Sequence, residues 1–568
     1  MAAPDLLRLP KTRGARARPL RRPTAGRALL FAAIAAIAAT AAGLRFWRIG
    51  WGLRDGYSFP DEIIAWKQHL TAFVPLRAES FFPPHLVYPS LYGFAAGGAV
   101  AIVHALGWID PPARAVLDAV LVARCVSALA GLATVALVGI AARRAYGGRA
   151  GLAACAFMAV LPMEVLQVHY VSCDALVATL ATATLLASLA LLESGRARSA
   201  VAAGLAGGLT TATKYTAAIA LAGPAWAAIE TAWRRGSVRV LLLLAAASGV
   251  AAFAGFSLGC PECVLRPEVM LQPLRVHYGR VVLLPASAGN NFIAPGLGWY
   301  ARPWLFQAVA VFPWAMGWPL YATALLGVAL ALRRREPADR LLLASFAAGF
   351  AAMGFFEVTY PRYYMPLYPL LVVFAARFAA CGLPRRIAPA LCAVVFAYTL
   401  ALSASQVARF SYDQQRAVVA WVQHAFAPRL ARGIAPDVAF PAEWGGYTRI
   451  AQALSGAHLT ARATRLGAWR AGSPEVLIVP DFVAVQLRRD FHGDPRLAEI
   501  EALQTGTAGY REVAAFRSRY LHQELYTAID PGLQADLWQG EIGFTVYLRD
   551  DVVGSPDLAL PPAASEGH

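Results

Sequence analysis

Residues 28–44 read ALLFAAIAAIAATAAGL, an uncharged run preceded by Arg13, Arg16, Arg18, Arg21 and Arg22 and followed by Phe59-Pro60-Asp61-Glu62. Such a run is close to the ~20 apolar residues that cross a bilayer as a helix. With no obvious cleavage site, the basic leader marks an uncleaved first span, with residues 1–27 kept in the cytoplasm as an arginine-rich tail. Asp61 and Glu62 then emerge on the far side, in a first loop covering about 45–118.

Pro60 suits the first turn of a short helix running on through Leu70, with Ser58 as its cap, and acidic residues in a first turn are favoured by the helix dipole. Asp61 is thereby held ionised, as a base must be. Neighbours on a helix point about 100° apart, so Asp61 and Glu62 cannot both face one point. One reacting and one supporting carboxylate are expected; the plain alternative is an acidic helix start at a membrane surface. The loop continues through Phe81-Phe82-Pro83-Pro84-His85, where the prolines forbid a regular helix.

Hydrophobic residues make up 58% of the 568 and charged ones 15%, a balance outside that of soluble domains. The net charge of +17 comes largely from arginine clusters between apolar runs. It reports orientation in the bilayer, and no nucleic-acid motif accompanies it. Lysine occurs only at Lys11, Lys67 and Lys214, an arginine bias that suggests a GC-rich bacterial genome. Of seven cysteines, five lie in or beside apolar runs. Cys260-Pro261-Glu262-Cys263 falls in a loop placed outside, where a disulfide persists more readily than a lone CxxC binds zinc.

Clusters at Arg143/Arg144/Arg149, Arg196/Arg198, Arg234/Arg235/Arg239, Arg333–Arg335 and Arg385/Arg386 separate the later apolar runs. If all are cytoplasmic, the outward points are those near Asp174, Lys214, residues 260–303, residues 359–362 and everything after Gln406. Residues 199–232 are too few for two full spans. They are expected to form a hairpin of short helices bending at Thr210-Thr211-Ala212-Thr213-Lys214. The run 88–106 is read as a juxtamembrane or partly inserted helix, which gives eleven spans, with twelve or thirteen as alternatives.

The fold class is therefore an all-α polytopic membrane protein, with residues 28–406 in its transmembrane part and a small α/β domain over 407–568. In that domain residues 412–426 are amphipathic, while 437–440 and 476–480 resemble strands. An odd number of spans puts it on the periplasmic side of a bacterial inner membrane. The last residues, 556–568, read as disordered. No internal repeat is present, although transporters with symmetric halves often show one.

Ionisable residues at membrane depth are functional candidates by default. Asp174 begins an apolar run after His169-Tyr170-Val171-Ser172-Cys173, where a helix cap is the structural alternative. Lys214 lies between two apolar half-helices. Arg124 starts a span, and Arg362 sits in Tyr360-Pro361-Arg362-Tyr363-Tyr364-Met365-Pro366, where interfacial snorkelling competes with binding. Guanidinium and ammonium groups suit phosphate oxygens, so carboxylates and cations converging on one face point to an anionic lipid-linked substrate. His85, His169 and His277 share that side and could join Glu62 around a metal, but their spacing carries no ligand signature. No cofactor is required; a divalent metal is a further candidate, with His85 and His277 its nearest residues.

The order of Asp61-Glu62, Ala123-Arg124-Cys125-Val126-Ser127, the stretch ending in Asp174, Gly207-Gly208-Leu209-Thr210-Thr211-Ala212-Thr213-Lys214-Tyr215-Thr216 and Pro361-Arg362-Tyr363-Tyr364-Met365-Pro366 resembles the C-type membrane glycosyltransferases (the GT-C fold). The likeness is to the branch of protein O-mannosyltransferases and the lipid A aminoarabinose transferase, and it covers roughly residues 27–406. The resemblance implies Asp61 as catalytic carboxylate, with Glu62 beside it, Asp174 as second acidic site residue, and Arg124, Lys214, Arg362 and Tyr363 around the phosphate of a polyprenyl-phosphate-sugar donor. It implies an inverting transfer to a lipid, glycan or protein acceptor on the periplasmic face. Two other classes stay open: a carrier or flippase that grips an anionic sugar-lipid without breaking bonds, and a scaffold whose outer domain binds a partner.

Overall fold

The computed structural model describes residues 25–53, 60–81, 88–272, 304–354, 361–411, 414–441, 461–465, 469–481, 495–517 and 543–560, with a few single positions between them. Most of the N-terminal tail, the Ser58 cap, His85 and His277 lie outside the described residues.

The chain runs through α1 (Ala25–Phe46), α2 (Pro60–Ala72), α3 (Leu91–Ala105), α4 (Val116–Tyr146), α5 (Gly148–Ala159), α6 (Pro162–Gln167), α7 (Cys173–Ser194), α8 (Ala197–Thr211), α9 (Ala222–Arg235), α10 (Val238–Gly259) and α11 (Pro261–Leu265). It continues with α12 (Phe312–Met316), α13 (Trp318–Arg334), α14 (Pro337–Gly354), α15 (Tyr368–Arg377) and α16 (Ala388–Ala408). This is the all-α polytopic architecture expected. By length and apolar character, five described helices suffice to cross a membrane, and four shorter apolar helices of 10–17 residues accompany them. Of the other apolar runs counted in the sequence, Pro337–Gly354 is one unbroken helix, while others are divided by backbone breaks, as at 212–214 and Gly317, which membrane proteins tolerate where the freed groups are buried in protein.

One such break falls in the expected hairpin. α8 ends at Thr211, Lys214 is extended at φ −156 and ψ 127, and a 3-10 turn over Tyr215–Leu221 leads into α9. Close packing behind the break rests on glycine. A Cβ on Gly204 would sit 2.1 Å from the Ser248 carbonyl oxygen, and one on Gly208 would sit 2.0 Å from that of Ala252, so α8 and α10 touch backbone to backbone. The four-residue spacing is the small-xxx-small pattern by which lipid-embedded helices approach each other without a hydrophobic driving force.

α7 sets the depth of the molecule. Its first turn carries Asp174; at its last turn Glu193 meets Arg144, and the Ser194 carbonyl accepts from Arg235. Twenty-two residues span about 33 Å, roughly the hydrocarbon thickness of a bilayer. The end with Asp174 is thus one membrane thickness from these arginines. At the arginine-rich end Asp339 accepts from Arg377 at 2.5 Å and from the Tyr146 hydroxyl at 2.8 Å. Arg340 reaches Glu230 there.

Beyond α17 (Gln414–Ala425), whose apolar side enters the domain core, five strands form one mixed sheet: β1 (Val438–Pro441), β2 (Ala461–Thr464), β3 (Val476–Pro480), β4 (Tyr510–Phe516) and β5 (Phe544–Arg549). The order is β2-β1-β3-β5-β4, with β1 parallel to β2 and β3, and β5 antiparallel to β3 and β4. Residues 476–480 make the expected strand, while β1 covers 438–441 where 437–440 is expected. β3 and β5 are buried along nearly their whole length because α17 covers one face and α18 (Pro495–Gln504) the other.

The glycine contacts make a direct prediction. Gly208→Leu forces α8 away from α10 and should cost about 1–3 kcal/mol, the usual range for overpacking. In detergent-purified protein this reads as a lower melting temperature, and a variant melting like wild type would show that the helices can separate freely.

Candidate functional site

The first loop is fixed to the bundle by one carboxylate. Glu62, in the first turn of α2, is fully buried and receives Nε of Arg124 at 2.7 Å and Nη2 at 2.8 Å in a two-pronged ion pair. It also accepts from the Val171 amide at 2.9 Å. Arg124 projects from α4 and gives its remaining Nη1 hydrogens to the Ile49 and Trp51 carbonyls at 2.9 and 2.8 Å, with its guanidinium over the Trp51 ring at 4.5 Å. Four N–H groups of Arg124 are therefore spent inside the protein. Although the resemblance puts it at the donor phosphate, the structure places it where it neutralises and orients Glu62. Asp61 precedes Glu62 in the same helical turn, and its side chain lies outside the described residues.

Rings carry the loop onward toward α7. Trp66 of α2 stacks on Tyr88 with centroids 5.6 Å apart and meets Tyr92 of α3 edge-on at 4.7 Å, while the Tyr92 hydroxyl reaches Ser127 of α4 at 2.8 Å. Trp66, Tyr92, Ala123, Val171 and Cys173 belong to one buried cluster, so the loop helices, α4 and the start of α7 share a core.

Asp174 stands just beyond it. It is the second residue of α7; the cap is Ser172, whose hydroxyl accepts from the Asp174 amide at 3.2 Å. The carboxylate accepts from that hydroxyl through Oδ2 at 2.8 Å and takes Nζ of Lys214 on Oδ1 at 2.7 Å, with both side chains buried. A lysine held mid-helix could not reach there. The break after α8 turns the side chain at 214 out of the helical row and toward α7.

The ammonium lies 4.7 Å from the Tyr363 ring centroid and 5.8 Å from that of Tyr88, and Arg362 lies 5.9 Å from the Tyr363 ring. Burial raises the Tyr88 phenol well above its ordinary value, against the pull of Arg362. Of the expected site residues, the structure thus brings Asp174, Lys214, Arg362 and Tyr363 together. It sets Glu62 and Arg124 behind them as a paired unit joined to the site through Val171. Tyr88 and Ser172 escaped the sequence reading; the Tyr88-Pro89 pair at the loop's end is the one signal that could have marked the tyrosine.

An ammonium has three donors, and only one is spent on Asp174. A narrow cleft with an interior of only about 20 Å³ is lined by Thr182, Leu185, Ile219, Gly223, Ser345 and Leu370 among others. Its walls continue from the site residues: Thr182 lies two turns below Asp174 on α7, Ile219 follows Lys214, and Leu370 follows Arg362.

Among the described residues there is no group of three or more His, Cys, Asp or Glu side chains able to hold an ion, and the metal candidates His85 and His277 lie outside them. Glu62 is committed to Arg124, and the His169 ring nitrogens lie within hydrogen-bond distance of the Val165 carbonyl at 2.7 Å and the Trp47 carbonyl at 3.0 Å, to one of which the ring N–H donates.

A helical membrane bundle with a charged site at one end and an appended α/β domain is the class of protein these observations define. Within it, residues 117–258 match the family model of dolichyl-phosphate-mannose-protein mannosyltransferases. The matched segment runs from α4 to α10, holds Arg124, Asp174 and Lys214, and bears out the resemblance read from the sequence. Among solved structures, the chain is similar to ArnT from Cupriavidus metallidurans bound to undecaprenyl phosphate, at 14% identity and TM-score 0.47, over 82% of this chain and 95% of that one. It is also similar to the Archaeoglobus fulgidus oligosaccharyltransferase complexed with zinc and sulfate, at 14% identity and TM-score 0.46, over 82% and 70%. Among curated protein sequences none matches this chain.

The Glu62–Arg124 pair generates a stability prediction. Arg124→Leu strands a buried carboxylate and should destabilise the protein by about 3–5 kcal/mol, whereas Glu62→Leu with Arg124→Leu should recover part of that loss. Melting temperatures of the purified variants decide it; equal damage in single and double variants would mean the charges do not compensate one another.

Proposed function

We propose that this protein transfers a sugar from a polyprenyl-phosphate-linked donor to an acceptor at the extracytoplasmic face of a bacterial inner membrane. The observation that carries the reading is the buried Asp174–Lys214 pair, which keeps a cation at this end of the bundle with two of its donors unspent among the described residues. The family match over 117–258 supports the same reading, as do the arginine clusters one membrane thickness away, which prefer the cytoplasmic side.

On this reading the donor's phosphate meets Lys214, with Arg362 and Tyr363 at its side, and its isoprenoid runs along the apolar surfaces of the neighbouring helices. A sugar phosphodiester carries a good leaving group, so the main demand is for cations where charge develops on the departing phosphate. Asp61 takes the proton of an acceptor hydroxyl or amine as that group attacks the anomeric carbon from the side opposite the phosphate, which inverts configuration. Glu62, neutralised by Arg124, acts as the positioning carboxylate. The α/β domain stands on the same side as the site and is the natural place for acceptor contacts.

Asp61→Asn should abolish transfer in membranes supplied with lipid-linked donor while insertion is unaffected; full activity in that variant would remove Asp61 from the reaction. Lys214→Gln should raise the KM for the donor at least as strongly as it lowers kcat. Mass analysis of the lipids decides the class of activity, because a carrier returns the sugar-lipid bond intact.

A further inference from the structure

The bend that presents Lys214 is clasped by residues the proposed chemistry does not use. Ser90 sits at the cap position of α3, yet its hydroxyl makes no cap bond. It donates instead to Oε1 of Glu262, in α11. Next to it the Leu91 amide donates to the Ala212 carbonyl at 3.1 Å, joining the start of α3 to the bend. Gly259, the last residue of α10, is pressed on the same point: a Cβ there would lie 2.6 Å from Cβ of Ala212 and 3.3 Å from that of Leu91. On the far side of the bend the Tyr215 hydroxyl meets Sγ of Cys263 at 3.6 Å, and Cys263 is disulfide-bonded to Cys260.

Glu262 is an odd choice for a purely structural part. Its side chain is fully buried, and Oε2 has no hydrogen-bond partner among the described residues. A half-satisfied buried carboxyl is costly, and a neutral side chain would serve Ser90 at smaller loss. The segments it joins carry two groups of the site: Tyr88, two residues before Ser90, and Lys214, two residues after Ala212.

We propose that Glu262, tethered by the Cys260–Cys263 disulfide, is a positioning residue that locks the start of α3 against the 212–215 bend and so holds the Lys214 ammonium, under Tyr88, where it receives the donor's phosphate. This rests on the reading of Lys214 as a phosphate ligand. The clasp is also sensitive to pH. Burial pushes the Glu262 carboxyl up to about 7 from 4.5, with Arg266 pulling it the other way. Tyr215 faces it as well. A carboxyl raised on folding contributes fully in acid, and that contribution is lost as the pH climbs through about 7. The clasp should therefore tighten below neutrality and loosen above it.

The test is the affinity of the full-length protein, in lipid nanodiscs, for a polyprenyl phosphate without sugar, so that no turnover is required. Because a phosphate monoester itself ionises a second time at about pH 6, the readout is the ratio of wild-type to Glu262→Gln affinity. Glu262→Gln keeps the partner of Ser90 and cannot ionise, so wild type should bind more weakly relative to it at pH 8 than at pH 6. Ser90→Ala, Glu262→Leu and the Cys260→Ala/Cys263→Ala pair should each weaken binding about tenfold at pH 6, within the range for residues coupled through one network, with melting temperatures near that of wild type. In a Lys214→Gln background Glu262→Leu should add nothing further. Unchanged affinity in these variants, or the same loss with and without Lys214, overturns the clasp. Wild type that binds no polyprenyl phosphate overturns both readings, whereas wild type that binds it and moves no sugar defeats the transferase alone and leaves the clasp to the variant affinities.

Discussion

The ammonium of Lys214 on the carboxylate of Asp174 is the interaction around which the membrane part is arranged. A charge surrounded by helices and lipid cannot be solvated by water, so it must meet an opposite charge with good geometry. The partner lies forty residues earlier, on the adjacent helix. The two can meet only if α8 stops short of a full span and the chain passes 212–214 outside regular helix. The glycine contact of α8 on α10, the 3-10 turn before α9 and the short length of both hairpin helices are consequences of bringing that one nitrogen to α7.

Other buried charges at the same end are answered differently, and the difference sorts structural from available cations. Arg45 of α1 bonds the Ala41, Met158 and Ala159 carbonyls and pairs with Glu164 of α6. Arg124 likewise spends four of its five donors on Glu62 and two carbonyls. A planar fork with five donors suits that work, because it can tie several backbone segments at once. The single lysine in the bundle keeps a compact, rotatable head with spare donors facing aromatic rings. The two arginines tie backbone segments together, whereas the lysine makes one hydrogen bond among the described residues.

Much of this is legible in the sequence because cost makes it so. Lys214 between apolar half-helices and Asp174 at the start of a long apolar run stand out, and the break between α8 and α9 follows from there being too few residues for two spans. The strand at 476–480 is readable from its continuous apolar character. The pairings are not readable. Nothing local in Arg124 says that its carboxylate is Glu62, since the contact spans sixty-two positions and is decided by how the first loop folds back. The same limit hid Tyr88 and the Ser90–Glu262 bond: each depends on which loop covers which helix end, and periodicity carries no information about that. The CxxC was visible as a disulfide, but its position beside the lysine bend was not.

The same geometry fixes where the first loop stands relative to the Asp174–Lys214 pair. Glu62 accepts from Arg124 of α4 and from the amide of Val171, and Val171 lies three residues before Asp174 in a segment that Ser172 turns into α7. Asp61 shares the helical turn of Glu62, so its backbone is tied to Asp174 through one carboxylate and a few residues of chain rather than through the long loop that contains it. On the proposed reading, the separation of base from leaving group is then a property of the Glu62–Arg124 pair. On that reading the second carboxylate keeps the backbone that carries the first close to a cation on another helix.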